Sequence, residues 1–292
     1  MPVETRGIDH VIILSRDLDR AEDTYRRLGF CIAPRMFHPM GTANNLLMFK
    51  TNFLELLGIV APEKLGGPVG AVRTFLDVRE GASHIVFLST DAQADHAEFA
   101  AKSLAPTEVF GFRRAVTLPN GRETTAVVNT VTLLQPQTPL VSLFVCQQHV
   151  PEAIWVPQWQ QQPNGVEAIV GVTLVADVPS TLRTLYTKLF GADAVTEQGT
   201  TLVAQTPNGR IEVLPLTNLE QRYGRAGVQA EATRPYVAGV TLKVADLGVV
   251  ERIFGENTVP YHKTAAGGVI VPPQAACGVV LEFVNREGRC RV

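Results

Sequence analysis

Four stretches of this chain repeat one pattern, an aliphatic run that reaches an Asp and passes into a helix. They are Gly7-Ile-Asp-His-Val-Ile-Ile-Leu-Ser-Arg-Asp-Leu18, Ser83-His-Ile-Val-Phe-Leu-Ser-Thr-Asp91, Val170-Gly-Val-Thr-Leu-Val-Ala-Asp177 and Gly239-Val-Thr-Leu-Lys-Val-Ala-Asp246. In each, the Asp stands seven positions after a reference residue: His10, His84, Val170 or Gly239. The reference residues lie 74, 86 and 69 positions apart, too irregular for a solenoid. One supersecondary unit per repeat, grouped two and two, fits better. The predicted class is α+β: four βαβββ modules paired into two domains, each with a curved mixed sheet around a central cleft.

Local patterns fill in the units. Asp17 to Leu28 carries Leu18, Ala21, Tyr25 and Leu28 at helical spacing, and Gly29 suits the left-handed residue after a helix. Strands are predicted over Cys31–Phe37, Asn45–Phe49 and Phe53–Val60, then a connection with a short helix from Pro62 to Glu80. The second unit continues with a helix over Ala92–Lys102 and strands near Glu108–Leu118, Thr124–Leu133 and Leu140–Cys146. Pro119-Asn120-Gly121 marks a turn between two of these strands, and Pro207-Asn208-Gly209 joins Thr201–Thr206 to Arg210–Pro215. The third unit has a helix over Ser180–Phe190, and the fourth ends with Gly278–Val284. The domains are read as 1–150 and 166–292. Between them 151–165, within a Gln- and Pro-rich stretch, forms the linker.

Composition narrows the class. Hydrophobic residues make up 46% and charged residues 18%, enough apolar material for a sizeable core and too little charge for disorder. The net charge is −2 with no basic run, so nothing points to nucleic acid or an anionic membrane. No apolar stretch approaches the roughly 18 residues that span a bilayer. The first residues lack the apolar core of a signal peptide, and a cytoplasmic location is expected. Cys31, Cys146, Cys277 and Cys290 are far apart with no CxxC, as buried thiols in a reducing compartment would be.

Three motifs carry a family likeness: Asp9-His10-Val11 through Asp17-Leu18, Leu28-Gly29-Phe30, and Phe53-Leu-Glu-Leu56. Here the sequence resembles the vicinal oxygen chelate superfamily, the fold of glyoxalase I, extradiol dioxygenases and fosfomycin-resistance proteins. His38-Pro-Met-Gly-Thr-Ala-Asn-Asn-Leu46 and Cys146-Gln-Gln-His-Val-Pro-Glu152 resemble its glyoxalase-like domain branch in particular. The likeness covers the first half well and the second loosely. It implies the fold closely and the reaction poorly, because the superfamily hosts several chemistries and non-catalytic binders.

Within that frame His10, Glu55 and His84 form a candidate metal site. Two imidazoles and one carboxylate suit a divalent Fe, Mn, Ni, Co or Zn ion and leave positions open for substrate. Glu55 lies within Phe-Leu-Glu-Leu-Leu, where burying a carboxylate is costly unless it is paired or ligates a metal. The resemblance implies a fourth ligand on the last strand of the second unit. Matching Leu-Glu-Leu to Val-Ser-Leu puts Ser142, a poor ligand, in that place. The competing reading makes His10 a cleft-edge residue and His84 a core histidine, with Glu55 paired to Arg113, Arg114 or Arg122.

Other candidates surround this centre. His38, Asn44 and Asn45 would form a substrate-facing rim, or a turn with local hydrogen bonds. Arg113 and Arg114 would offer a cation to a carboxylate or enediolate, or stand in solvent. Gln148 and His149 would cap the cleft, with His149 as an acid or base beside Glu55, or lie in the crossover. The second half has no histidine at its reference positions and keeps only Glu212 and Glu282, so it reads as a degenerate partner. The expected activity is that of a metal-dependent isomerase or lyase of glyoxalase type on a small oxygenated substrate. An extradiol-type Fe(II) dioxygenase and a non-catalytic binding or resistance protein are the alternatives. A small molecule is the expected partner, and a homodimer is compatible with the sequence.

Overall fold

The computed structural model describes residues 6–66, 70–227 and 234–285. The first half forms an eight-stranded sheet from β1 (Ile8–Leu14), β2 (Met36–Phe37), β3 (Thr42–Met48), β4 (Phe53–Ile59), β5 (Gly81–Ser89), β6 (Phe110–Thr117), β7 (Glu123–Leu133) and β8 (Ser142–Gln148). Its order is β2-β3-β4-β1-β5-β8-β7-β6. The edges β2 and β6 come into contact, so the sheet curls nearly into a barrel around a cleft.

The second half repeats the order as β10-β11-β12-β9-β13-β16-β15-β14. Its strands are β9 (Val166–Val175), β10 (Val195–Gln198), β11 (Thr201–Thr206), β12 (Gly209–Leu214), β13 (Tyr236–Val244), β14 (His262–Lys263), β15 (Val269–Val271) and β16 (Val280–Val284). Four paired βαβββ modules are therefore present.

The repeated Asp has a physical job. Asp17 accepts from the backbone N–H groups of Asp19 and Arg20 and starts α1 (Leu18–Arg27). Asp91 does the same for α3 (Ala92–Ala101), and Asp246 accepts from Gly248 at the start of α6 (Leu247–Glu256). Such caps satisfy N–H groups that the first helical turn leaves without partners. Asp177 departs from the pattern. It pairs with Arg234 at 2.5 Å, and α4 (Arg183–Phe190) follows a 3-10 turn that begins at Pro179. Two more helices complete the inventory, α2 (Gly70–Val78) and α5 (Leu216–Tyr223).

Register corrects one expectation. In the first half His10 pairs with Phe53 across the parallel β1–β4 edge, and Ile12 pairs with Glu55. In the third module Gly171 pairs with Arg210, and Thr173 pairs with Glu212. Gly171, not Val170, therefore stands where His10 stands. The Asp offset misplaced it by one because Asp177 is not a helix cap.

The halves share one apolar core. A continuous buried cluster runs from Ile8 and Tyr25 through Phe87 to Val172, Phe254 and Phe283. Polar clasps join the same surfaces. Asn208 accepts from Ile8 N–H and donates to the Ile8 carbonyl, and Asn52 does likewise with Ile169. The segment read as a linker is itself packed. Ile154, Val156 and Trp159 are buried against Met48 and Phe53, and Gln162 donates to the carbonyls of Cys31, Met48 and Trp159. Cys146 and Cys277 are buried free thiols, Cys31 is half-buried, and Cys290 lies outside the described residues.

Candidate functional site

The curled first sheet encloses a cleft with about 990 Å³ of empty space, its open mouth included. Its walls are largely apolar, with Ile12, Phe53, Phe112, Val128, Phe144 and Ile154 among them. A cleft of this kind with a few convergent polar groups is the ordinary form of a small-molecule site. His10, His38, Asn44, Glu55, His84, Arg114, Ser142 and Gln148 all line it, as the sequence led us to expect.

His10 is fixed by its neighbours. Asp9 is an extra residue where the β1–β5 register shifts between Ile8 and His10. A bulge of this kind re-aims side chains that would otherwise alternate between faces. The Asp9 carboxylate thereby reaches Nδ1 of His10 at 2.6 Å. The His10 ring stacks on Phe53, with centroids 4.4 Å apart. Its Nε2 stands 3.5 Å from Oε2 of Glu55. With Nδ1–H of His10 donating to Asp9, Nε2 and Glu55 Oε2 are two acceptor atoms facing each other across that gap, and the point between them favours a proton or a cation.

His84 repeats the device. Ser83 is the extra residue of β5, and its hydroxyl bonds Nδ1 of His84. Burial, with His10 adding to it, lowers the His84 pKa to about 4, so the ring is neutral at pH 7. Burial, followed by the nearby Arg114, lowers His38 to about 3. Glu55 accepts from Nδ2 of Asn44 at 2.7 Å, and Asn44 Oδ1 accepts from Arg114 at 2.6 Å. Glu55 is thus joined to an arginine through one amide, not by direct contact.

The local twofold shows what stands at each central position. His10 faces Val86 and Ile12 faces His84 across β1–β5, so the twofold exchanges His10 with His84. Phe53 lies beside His10, and Ser142 lies beside His84. Ser142 is therefore the mate of Phe53, and the mate of Glu55 is Phe144. Matching short apolar triplets had slid the register by two. The ring of Phe144 packs edge-on against His10 and His84, with centroids at 6.1 and 5.9 Å. The fourth central position thus carries no donor.

The donors of the expected metal set suit a divalent ion in kind, but among the described residues no three His, Cys, Asp or Glu side chains form a metal-holding group. His10 Nε2 and Glu55 Oε2 approach one point.

Three other expected residues stand outside the cleft. Arg113 is exposed because it alternates with Arg114 along β6. Asn45 alternates with Asn44 along β3, donating to the Ala33 carbonyl and accepting from Arg35. His149 follows β8, its backbone N–H bonds the Val127 carbonyl, and its side chain is exposed. Arg122, weighed as a partner for Glu55, is exposed as well. Gln148 is the polar cap: it donates to Asp9 at 3.2 Å and accepts from Trp155 Nε1 at 3.0 Å.

The comparisons agree with this architecture. A family model described as "Glyoxalase-like domain" matches residues 8–190, more than half of the chain. The chain belongs to the glyoxalase-like domain family. No curated protein matches the sequence. Among solved structures, a hypothetical protein from Staphylococcus aureus is 14% identical with a TM-score of 0.66, covering 95% of this chain and 98% of its own. A mutant 4-hydroxymandelate synthase from Streptomyces coelicolor is 11% identical with a TM-score of 0.59, over 96% and 92%. Homoprotocatechuate 2,3-dioxygenase from Arthrobacter globiformis is 12% identical with a TM-score of 0.53, over 96% and 79%. At these identities the likeness shows the vicinal oxygen chelate fold and nothing of the reaction.

Proposed function

We propose that the first-half cleft is the active site of an isomerase or lyase of glyoxalase type, and that Glu55 moves a proton on a carbon next to the carbonyl of a small oxygenated substrate. One observation carries this reading: the Asp9–His10–Glu55 array at the floor of an apolar-walled cleft. A base of this kind needs a fixed position and low water access, and typically contributes about 10²–10⁴-fold. Asn44 orients the carboxylate. Neutral His84 offers an N–H to the carbonyl oxygen when Ser83 donates to its Nδ1.

The test is carbon-bound deuterium uptake in D₂O, followed by proton NMR, across small 2-oxo and 2-hydroxy carbonyl compounds. The reading expects exchange on at least one compound and a loss of about 10² or more in Glu55→Gln. No exchange on any compound, or exchange untouched by Glu55→Gln, overturns it.

A second reading keeps a divalent ion, which would polarise vicinal substrate oxygens as a Lewis acid. It is favoured by the two acceptor atoms of His10 and Glu55 facing one point. His10, Glu55 and His84 would be its ligands. Exchange or ring cleavage that chelator abolishes and one metal restores would establish it.

A further inference from the structure

We propose that the ligand of this cleft is a small monocarboxylate with an apolar tail, its carboxylate held on Arg114. The inference rests on the reading of the cleft as a small-molecule site and adds the charge of the molecule it takes. Arg114 lines the cleft and is 8% exposed. Its Nη1 donates to Asn44 Oδ1 at 2.6 Å and to His38 Nε2 at 3.4 Å, both neutral acceptors. Its Nε is buried with no hydrogen-bond partner among the described residues.

Two other arginines also leave a buried Nε without a partner among the described residues, yet each meets carboxylates. Arg6 contacts Asp95 and Glu98. Arg222 contacts Glu212 and Glu282. Among the described residues Arg114 touches no carboxylate, and a buried donor left unpaired is destabilising. A guanidinium edge formed by Nε and a terminal nitrogen accepts a carboxylate through two parallel hydrogen bonds. In Arg114 the Nη1 side is engaged, so a carboxylate would come to the Nε side, and the groups that now cover Nε would have to give way to it.

The surroundings fit an acid over other anions. His38 donates nothing toward Arg114: its Nε2 accepts from the guanidinium, which leaves the proton on Nδ1, 2.9 Å from Thr42 Oγ1. One cation therefore stands at this wall, enough for a single negative charge. Phe110, Phe112 and Val128 lie in the same lining and offer apolar surface to the rest of the molecule. Asn44 separates Arg114 from Glu55, so the bound carboxylate is set one amide away from the base.

Calorimetric titration of the intact protein with benzoate, phenylacetate and 4-methylpentanoate, each against its matched amide, tests this. At least one acid should bind ten-fold or more tightly than its amide. Arg114→Gln should erase that preference, Arg114→Lys should keep part of it, and Arg113→Gln should leave it intact. The Arg114 Nε–H resonance, identified by its loss in Arg114→Lys, should shift on adding the acid. That readout stands even if Arg114→Gln fails to fold. Equal binding of acid and amide, no binding of any acid, or a preference that survives Arg114→Gln overturns the proposal. Glu55→Gln separates the two readings: if exchange chemistry was misassigned, the acid preference still persists in this variant.

Discussion

The two halves have one topology and opposite centres. In the first, His10, Glu55, His84 and Phe144 surround the floor of an open cleft. In the second, the equivalent places hold Gly171, Glu212, Gly239 and Glu282. The glycines remove the imidazoles, and at Gly239 Tyr223 of α5 fills the space. A Cβ on Gly239 would lie 2.8 Å from the hydroxyl of Tyr223, which itself bonds Thr173 at 3.0 Å. Arg222, one residue earlier, contacts Glu212 at 2.7 Å and Glu282 at 2.6 Å. A side-chain cation thus sits between the two carboxylates of the second half. The lesson concerns which residue neutralises a buried carboxylate: one half uses a built-in arginine and is closed, and the other leaves its carboxylate facing an imidazole and a cleft.

That contrast can be broken at four points. The largest effect is expected from Arg222→Ala, which leaves Glu212 to Arg210 alone and Glu282 to the Thr241 hydroxyl. It should cost about 3–5 kcal/mol in denaturant unfolding. Burial pushes the Glu212 carboxyl up, and Arg222 and Arg210 outweigh it, so it ends below its ordinary 4.5. Its stabilising share is present above pH 4.5 and lost as pH falls further. In Arg222→Ala that acid dependence should weaken, because only Arg210 then offsets the burial of Glu212.

The first half should respond to acid earlier. His84 is depressed from 6.5 to about 4, so the unfolded chain takes up its proton first. In chelator-treated protein, stability should be full above pH 6.5 and fall by on the order of 3 kcal/mol toward pH 4. His84→Asn should flatten that slope, and a slope unchanged by the substitution would contradict the burial assigned to this ring.

Restoring a histidine to the closed half should fail. Gly239→His must displace the Tyr223 ring and should cost about 1–3 kcal/mol by overpacking. Combining it with Tyr223→Ala should give a double-mutant coupling well outside additivity. Phe144→Glu is the smallest and most constructive change. By placing a carboxylate at the empty fourth position of the open half, it should raise Co²⁺ affinity about tenfold, or ~1.4 kcal/mol, read from the visible absorption of the bound ion.

Much of this was legible in the sequence. The repeated strand–Asp–helix junction announced four modules, and His10, Glu55, His84, Asn44 and Arg114 do line one cleft. The failures have identifiable causes. Arg113 and Asn45 were paired with their neighbours, but strand alternation sends adjacent side chains to opposite faces. Asp9 gains its role only through the bulge at Ile8–His10, which turns it toward the imidazole and leaves no local sequence signal. Triplet matching points to Ser142 where the structure has Phe144, because register between distant strands is set by long-range pairing, which short apolar triplets do not encode. Tyr223 and Arg222 were invisible as a plug, since nothing local ties α5 to the glycines at 171 and 239.

The account turns on the open half alone being functional. Deuterium uptake by a responsive carbonyl compound, compared in Glu55→Gln and Glu212→Gln at a temperature where both are folded, tests this most directly. The prediction is a loss of about 10² or more in Glu55→Gln and an unchanged rate in Glu212→Gln. Uptake that survives Glu55→Gln and disappears in Glu212→Gln would contradict it.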